Sequence, residues 1–184
     1  MHRARHQLRD GRVLVIREAV PDDARVVLAY AEDVSRESNF LTFGPGEFEL
    51  TEAAERDVLH KHQETDNQLY ILGLVDDTLI ATLSFAAGDR RRLRHSGEFG
   101  MSVRKRFWGL GVGSLMVDTL IDWAKGTDII RKINLRVRTD NRRAIDLYVR
   151  KGFVTEGTMR DEICLEGAYF DLHSPHLATA LLGP

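Results

Sequence analysis

Gly109, Gly111 and Gly113 recur at alternate positions, directly ahead of an amphipathic run over residues 114–125. Glycine is a poor helix former, so glycines at a helix start indicate that something approaches the backbone closely. The N–H groups of a first helical turn carry partial positive charge and have no partner within the helix. Phosphate oxygens are natural partners for such groups. The pattern therefore predicts that amides of residues 110–114 hold a pyrophosphate or a similar polyanion.

Two side chains ahead of this segment could accept a proton. Glu98 lies on a predicted strand over residues 97–103 that leads into the glycines, and His95 lies just before it. An amine that attacks a carbonyl carbon has to lose its proton, which a carboxylate or a histidine can accept. Both residues stay open as the general base. Arg104, Lys105 and Arg106 could neutralise phosphate charge, although a charged turn is usually only solvated.

The glycine segment differs from two common nucleotide-binding loops. Ser114 follows Gly113 where a nucleotide-triphosphate loop has a lysine. The spacing G-x-G-x-G also departs from the dinucleotide fingerprint G-x-G-x-x-G. The bound polyanion is therefore expected to be of another kind.

A second unit follows the glycine segment. Residues 133–140 alternate as a strand, Asn141 is placed as a helix cap, and Gly152 is placed to end the helix that follows. A further strand is predicted to begin at Phe153. Residues 153–164 and 168–176 are predicted to form a hairpin that turns near Glu166.

The two units together resemble the GNAT superfamily of N-acetyltransferases. The acetyl-CoA signature of that family is Gln/Arg-x-x-Gly-x-Gly/Ala, and Trp108 to Gly113 is similar to it, with Trp108 at the first position. A second register, Arg106-x-x-Gly109-x-Gly111, also fits and starts the helix two residues earlier. The later unit resembles the C-terminal half of many GNAT enzymes through Val137, Asn141, Ala144, Leu147, Tyr148, Gly152 and Phe153.

The resemblance implies an α/β mixed sheet of the GNAT type, with splayed central strands and helices on both faces. It implies acetyl-CoA as co-substrate and no metal. Tyr148 is the implied general acid, and Glu98, directly or through water, is the implied base. The loop over residues 35–51 is similar to that of the ribosomal-protein or amino-acid branch and places Glu37 and Phe40 at the amine. The residues implied to bind the cofactor are Met101, Ser102, Val103, Trp108, Gly109, Leu110, Gly111, Val112, Gly113, Ser114, Asn141, Ala144, Tyr148 and Lys151.

The remaining chain fits this order of elements. Residues 1–11 are expected to be a flexible tail, and residues 12–184 a single domain. Alternation predicts strands over residues 12–20, 68–75 and 78–87. Helix start signals at Pro21 and Thr51 predict helices that run to about Val34 and Gln63.

Composition favours a globular intracellular protein. The 184 residues carry a net charge of −2, 43% hydrophobic residues and one cysteine, Cys164. A single cysteine excludes an internal disulfide and fits the cytoplasm. No apolar run is long enough for a membrane span, and the charge gives no general attraction to nucleic acid. The arginine-rich residues 90–94 are expected to be an exposed loop.

These features favour an N-acetyltransferase that moves acetyl directly from acetyl-CoA to a primary amine. The acceptor is a small molecule or a protein N-terminus or side chain. The alternative is a module of the same fold that binds and senses acyl-CoA without turnover. Dimers are common in the family, and the final hairpin offers an edge for a homodimer.

Overall fold

The computed structural model describes residues 3–178, whose strands form one mixed sheet in the order β1-β2-β3-β4-β5-β6-β9-β7, with β8 paired to β9. The strands are Arg3–Gln7 (β1), Val13–Glu18 (β2), Gln68–Val75 (β3), Thr78–Ala87 (β4), Ser96–Val103 (β5), Lys132–Asn134 (β6), Val137–Arg138 (β7), Val154–Leu165 (β8) and Ala168–Ala178 (β9). The helices are Ala24–Ser35 (α1), Glu52–Glu64 (α2), Val112–Gly126 (α3) and Arg142–Arg150 (α4).

Helices cover both faces of the sheet, which confirms the predicted layers. Apolar side chains of α1 and α2 form one buried cluster with Leu72 and Leu79. On the other face, Met116 and Leu120 of α3 join a larger cluster with Ile71. Alternate residues of a strand point to opposite faces, so Ile71 and Leu72 serve different layers. The sheet is therefore buried on both sides at its centre.

Strands β5 and β6 run parallel but separate after three paired positions. Residues Ser96–Glu98 of β5 pair with Lys132–Asn134, and the rest of β5 pairs only with β4 on its other side. This is the predicted splay of the central strands. It leaves the inner edge of residues 99–103 open to a cleft.

The strand expected over residues 133–140 is interrupted after Asn134. Asn134 pairs with His176 of β9, whereas Val137 pairs with His173. The N–H of Leu135 donates to the carbonyl of Pro175 at 3.1 Å. Proline has no N–H to return a bond, so the ladder cannot continue across it. Pro175 thus helps to turn β7 away from β5.

Three predicted helix boundaries are confirmed. The Thr51 hydroxyl accepts a bond from Ala54 N–H at 3.1 Å, and α2 begins at the next residue. The Asn141 side chain accepts one from Ala144 N–H at 3.2 Å at the start of α4. Gly152 follows α4 with φ of +87°, as the residue that ends a helix often does.

The beginning of the chain differs from the expected flexible tail. Residues Arg3–Gln7 form β1, which pairs antiparallel with β2. Asp10 and Gly11 occupy the turn, which is closed by a bond from Leu8 N–H to the Arg12 carbonyl at 2.8 Å. Leu8 is buried and anchors the hairpin to the core. An Asp-Gly turn between short strands is a known hairpin signal, and burial of Leu8 holds it. Residues 1–2 and 179–184 lie outside the described residues.

The final hairpin turns at Glu166 and Gly167, near the expected position, and both residues have positive φ. Most of β8 is exposed. A homodimer through this hairpin and a single domain over residues 12–184 both stay predictions. Across residues 3–178, none of the helices has the length and apolar character needed to cross a membrane.

Gly97 offers a test of the packing between β4 and β5. A Cβ at this position would lie 2.5 Å from the Ala86 carbonyl oxygen and from Cζ of Phe85. We expect Gly97→Ala to lower the free energy of unfolding in urea by about 3 kcal/mol, since backbone and a buried ring cannot move aside. Gly100→Ala, in the same strand but with no atom within 4 Å of its Cβ, should change it by less than about 1 kcal/mol. Equal effects would contradict this account.

Candidate active site

A cleft of about 850 Å³ opens where β5 and β6 separate. One wall is the open edge of β5, from Phe99 to Val103, and the opposite wall comes from β7 and α4. The residues at the start of α3 close one end of the cleft. The loop over residues 36–51 and helix α2 close the other end. A long molecule can therefore lie between the strands with its two ends in different surroundings.

The glycine turn, residues 109–113, uses its glycines in two ways. Gly109 and Gly111 have φ of +81° and +98°, in the left-handed region that favours glycine. Gly113 lies inside α3, and a Cβ there would lie 3.3 Å from Leu147 and 3.4 Å from Met101. The first two glycines thus shape the turn, and the third permits a close approach of α3 to α4 and β5.

The start of α3 presents free amides to the cleft. The first bond into the helix runs from Leu115 N–H to the Gly111 carbonyl at 3.1 Å. The N–H groups of Val112, Gly113 and Ser114 precede it and have no acceptor in the helical ladder. The helix begins at Val112, between the starts that the two signature registers require. These free amides lie where the sequence predicts an anion site.

Two arginines flank the glycine turn. Arg9 of the N-terminal hairpin donates from Nη1 to the Gly109 carbonyl at 3.3 Å and lines the cleft. Arg143 of α4 lies over the ring of Trp108, with 4.8 Å from Cζ to the ring centroid. The indole N–H of Trp108 donates to the Val103 carbonyl at 2.7 Å. Arg9 and Arg143 add positive charge beside the free amides.

Two of the cations proposed from sequence for the cofactor, Arg104 and Lys151, form ion pairs within the protein. Arg104 pairs with Asp33 of α1 and with Glu37, which follows α1. Lys151 pairs with Asp118 of α3 at 2.6 Å and does not line the cleft. The structure therefore does not bring Lys151 to the site, because its charge already holds α4 against α3.

Tyr148 lies deep in the cleft wall. It is 7% exposed and packs edge-on against Phe99, with 5.8 Å between ring centroids, and beside Phe153. Burial raises the pKa of the Tyr148 phenol above its ordinary value of 10.0. The hydroxyl therefore stays protonated at neutral pH, as a proton donor must.

Glu98 lies at the rim of the cleft. It shares a face of β5 with Gly100 and Ser102, which line the cleft, since alternate residues point the same way. Its side chain is 47% exposed and accepts a bond from Nε of Arg136 at 2.8 Å. Arg136 itself lines the cleft. Glu98 is thus an ion-paired carboxylate at the entrance rather than an inner wall residue.

Glu37 does not face the cleft. One carboxylate oxygen accepts from Arg104 at 3.1 Å, and the other accepts the Lys105 backbone N–H at 2.6 Å. These contacts hold the turn after β5 against the end of α1. Glu37 is not among the residues that line the cleft, and each of its oxygens already accepts a hydrogen bond, so its role at the amine stays a prediction.

Phe40 does line the cleft and is held by Arg138. Arg138 is 5% exposed, and its guanidinium lies 5.1 Å from the Phe40 ring centroid and 3.6 Å from that of Phe170. It also donates to the Asn39 carbonyl and to Asp140. This contact ties the loop over residues 36–51 to β7 and β9.

The other end of the cleft, which we name the inner chamber, is lined by Tyr30, Glu55, His62, Tyr70, Thr82, Ser84, Gly100 and Ser102. Its hydroxyls are linked: the Tyr30 hydroxyl lies 3.0 Å from that of Ser102, which lies 3.1 Å from that of Thr82. Burial raises the pKa of the Tyr30 phenol, so this chain of hydroxyls is uncharged.

Glu55 is the acidic group of the chamber. It is 2% exposed, and its Oε1 has no hydrogen-bond partner within the described part of the chain. Burial raises its pKa from 4.5 to about 7. The ring of His62 packs edge-on against Tyr70, and burial lowers the pKa of His62, which favours the neutral imidazole. Within residues 3–178, Glu55 forms no ion pair.

Most residues that the sequence assigned to cofactor and acceptor lie along the cleft. Glu37, Glu98, Leu110 and Lys151 are not among its lining residues, and Leu110 packs against the core instead. Those that line it are Phe40, Met101, Ser102, Val103, Trp108, Gly109, Gly111, Val112, Gly113, Ser114, Asn141, Ala144 and Tyr148. Their chemical roles stay predictions.

Sequence reasoning missed Glu55, and a signal was available. Glu55, Val58, Leu59 and His62 recur at the spacing of one helix face, and Leu59 is fully buried. A carboxylate and an imidazole on the apolar stripe of a helix indicate a polar site beneath it. A group of three or more side chains able to hold a metal ion does not occur among residues 3–178.

The fold and the sequence have clear relatives. A model described as the Acetyltransferase (GNAT) family matches residues 29–153. The crystal structure of a GNAT-family acetyltransferase from Streptococcus pneumoniae superimposes with a TM-score of 0.87 at 32% identity, covering 90% of this chain and 98% of that one. The structure of yncA, a putative acetyltransferase from Salmonella typhimurium with its cofactor acetyl-CoA, has a TM-score of 0.78 at 16% identity, covering 90% and 94%.

Among curated proteins, the L-amino acid N-acetyltransferase AaaT of Escherichia coli is 28% identical over 103 residues, which are 56% of this chain and 64% of that protein. The chain thus matches slightly less than two thirds of that relative's length.

The raised pKa of Glu55 has a consequence for stability. The folded protein holds this proton more tightly than the unfolded chain, so stability is fully present below pH 4.5 and is lost as pH rises through about 7. We expect Glu55→Gln to raise the free energy of unfolding at about pH 8 by about 2 kcal/mol, and by clearly less at about pH 5. Urea unfolding at both pH values measures this. Glu52→Gln, an exposed position of the same helix, should lack the pH dependence. A Glu55→Gln protein equally destabilised at both values would contradict the assignment.

Proposed function

Because the chain belongs to the GNAT acetyltransferase family, we propose that it transfers the acetyl group of acetyl-CoA to a primary amine. The observation that carries the proposal is the position of the glycine turn, at one end of a cleft between separating strands. Free amides at that end suit a diphosphate, and the length of the cleft suits the chain that follows it in coenzyme A.

The residues of the cleft fit acetyl-CoA in three sections. Amides of residues 111–114 hold the diphosphate, with Arg9 and Arg143 beside them as counter-charges. Asn141, which caps α4, and Ala144 contact the pantetheine arm, and main-chain groups of the open edge of Met101–Val103 hold it. Acetyl-CoA supplies the thioester whose acetyl group moves to the amine. Because residues 99–103 do not pair with β6, their N–H groups that point away from β4 are available to polarise its carbonyl.

Transfer makes a bond from the amine nitrogen to the acetyl carbon and breaks the bond from that carbon to sulfur. The amine loses one proton, and the sulfur leaves as a thiolate that gains one. Tyr148 holds a proton on its hydroxyl in the cleft wall and donates it to the thiolate. Glu98, through water, accepts the proton of the amine at the rim. No other reactant is required.

Transfer is direct, without an acetylated enzyme. The one cysteine of the chain, Cys164, is exposed on β8 and does not line the cleft. A nucleophile with a paired base, as a covalent route needs, is not formed by the lining residues. The amine therefore meets the thioester itself, beside Phe40, and the acceptor is a small amine or a protein amine.

Gly111 tests the diphosphate site. Alanine at φ of +98° is strained by about 1–2 kcal/mol, so the turn should relax and move its amides away from the phosphates. We expect Gly111→Ala to raise the Kd of acetyl-CoA in titration calorimetry by about tenfold or more. Gly167→Ala carries similar strain at φ of +81° in the distant β8–β9 turn and should leave the Kd unchanged. Wild-type affinity in Gly111→Ala would remove the turn from the site.

Tyr148→Phe tests the acid. The ring keeps its packing against Phe99 and Phe153 while the hydroxyl is lost. We expect kcat, followed as release of free CoA thiol with a panel of amines, to fall about a hundredfold, with acetyl-CoA affinity unchanged. Turnover at the wild-type rate would exclude Tyr148 as the proton donor. Binding of acetyl-CoA by the wild type with no thiol release from any amine would favour the sensing module instead.

Glu98→Gln tests the base. If Glu98 takes the amine proton, its amide variant should lose the acidic limb of the pH–rate profile and about tenfold to a hundredfold of its rate at neutral pH. Arg136→Ala breaks the same ion pair but keeps the carboxylate, so its profile should retain that limb. A Glu98→Gln profile of wild-type shape would place the titrating base elsewhere.

A further inference from the structure

Strand register gives the distance between the inner chamber and the reacting end of the cleft. Tyr70 pairs with Ser84, and Ser84 pairs with Gly100, so the three form one row across β3, β4 and β5. Neighbouring strands lie about 4.8 Å apart, which puts Tyr70 about 10 Å from Gly100 along the sheet. The next row, which ends at Ser102, runs beside it. Small and hydroxylated side chains therefore line the path from β5 to Tyr70.

Glu55 stands at the far end of this path. Its carboxyl is close enough to Tyr70 to raise the pKa of that phenol further, beyond the larger effect of burial. The other acids nearby are already compensated, since Asp33 and Glu37 both pair with Arg104. His62, on the same helix as Glu55, is the nearest basic group of the chamber, and burial disfavours its charged form.

A buried carboxyl without a partner lowers the stability of a folded protein. Such groups are therefore uncommon unless a ligand completes them. A cation fits here, because the face of an aromatic ring such as that of Tyr70 also attracts an ammonium. Because Glu55 acts on Tyr70, which lies two strand spacings from Gly100, it is placed away from the amine that attacks beside β5.

We propose that Glu55 binds a second cationic group of the acceptor, so that the enzyme prefers diamines and polyamines over monoamines and over amines with acidic groups. One ammonium of the acceptor is held at Glu55, and the chain between the two nitrogens lies over Ser84 and Gly100. The free amine then reaches the thioester beside β5. This inference rests on the proposed function and specifies its acceptor.

The test compares α,ω-diaminoalkanes of increasing length with n-alkylamines of the same length, as acceptors for the full chain with acetyl-CoA. We expect kcat/KM of the wild type to rise with diamine length and to exceed that of the matched monoamine by at least about tenfold. In Glu55→Gln the ratio should fall to near one, mainly through a higher KM for the diamine. Glu52→Gln, exposed on the same helix, should keep the wild-type ratio.

Binding is measured in parallel by thermal unfolding with CoA and each diamine. The diamine should raise the Tm of the wild type and of Glu55→Asp, whose shorter carboxylate keeps the charge, but not that of Glu55→Gln. Equal efficiency for diamines and monoamines, or an unchanged ratio in Glu55→Gln, overturns the inference and leaves N-acetylation standing. No thiol release from any amine, together with no thermal shift by diamines, overturns both. A thermal shift that depends on Glu55 without thiol release supports the cation site and overturns the transferase.

Discussion

The separation of β5 from β6 is the constraint on which the site depends. Two parallel strands that pair for three residues and then diverge leave main-chain donors and acceptors without partners in the sheet. Unpaired backbone groups are costly when buried, so the opening persists only because other contacts hold its walls. Pro175 interrupts the ladder beside β6, α3 and α4 pack against β5, and Arg138 fixes the loop that closes the far end.

Charge is distributed unevenly around this opening. Positive groups and free amides gather at the glycine turn, where Arg9 and Arg143 have no carboxylate partner among their described contacts. Outside the cleft lining, Arg104 is matched by Asp33 and Glu37. The inner chamber contains the carboxyl of Glu55 together with Tyr30 and Tyr70, and this carboxyl has no ion-pair partner among residues 3–178. The cleft thus carries arginines and free amides at one end and a buried carboxyl at the other.

The sequence predicted those parts of the molecule that follow from local patterns. Strands β3 and β4 match the predicted bounds, because alternation is strong and Asp76-Asp77 marks the turn. The caps at Thr51 and Asn141 were predictable for the same reason. The break after Asn134 was not expected, since its cause, Pro175, lies on a strand forty residues away. The N-terminal hairpin was missed because its residues are mostly polar, although the Asp10-Gly11 turn was visible.

The sequence predicted the site only where main-chain groups are expected to carry the chemistry. Glycines indicate a turn with free amides whatever their neighbours, so the turn at the start of α3 was predictable. Glu37 and Lys151 were assigned by position along the chain, but their charges are neutralised by Arg104 and Asp118, which only the fold brings near. Glu55 was overlooked because its neighbours along the chain do not show which charged groups the fold brings near it.

The N-terminal hairpin contributes Arg9 to the end of the cleft at the glycine turn. Arg9 lies outside the glycine turn and outside the centre of the sheet. It reaches the turn because Leu8 and the pairing of β1 with β2 hold the short N-terminal hairpin against the turn. An appendage of about ten residues can be lengthened, shortened or recharged without disturbing the strands that carry catalysis. Evolution could thus adjust the residence time of the nucleotide at the chain's edge while the acetyl-transfer machinery stays the same.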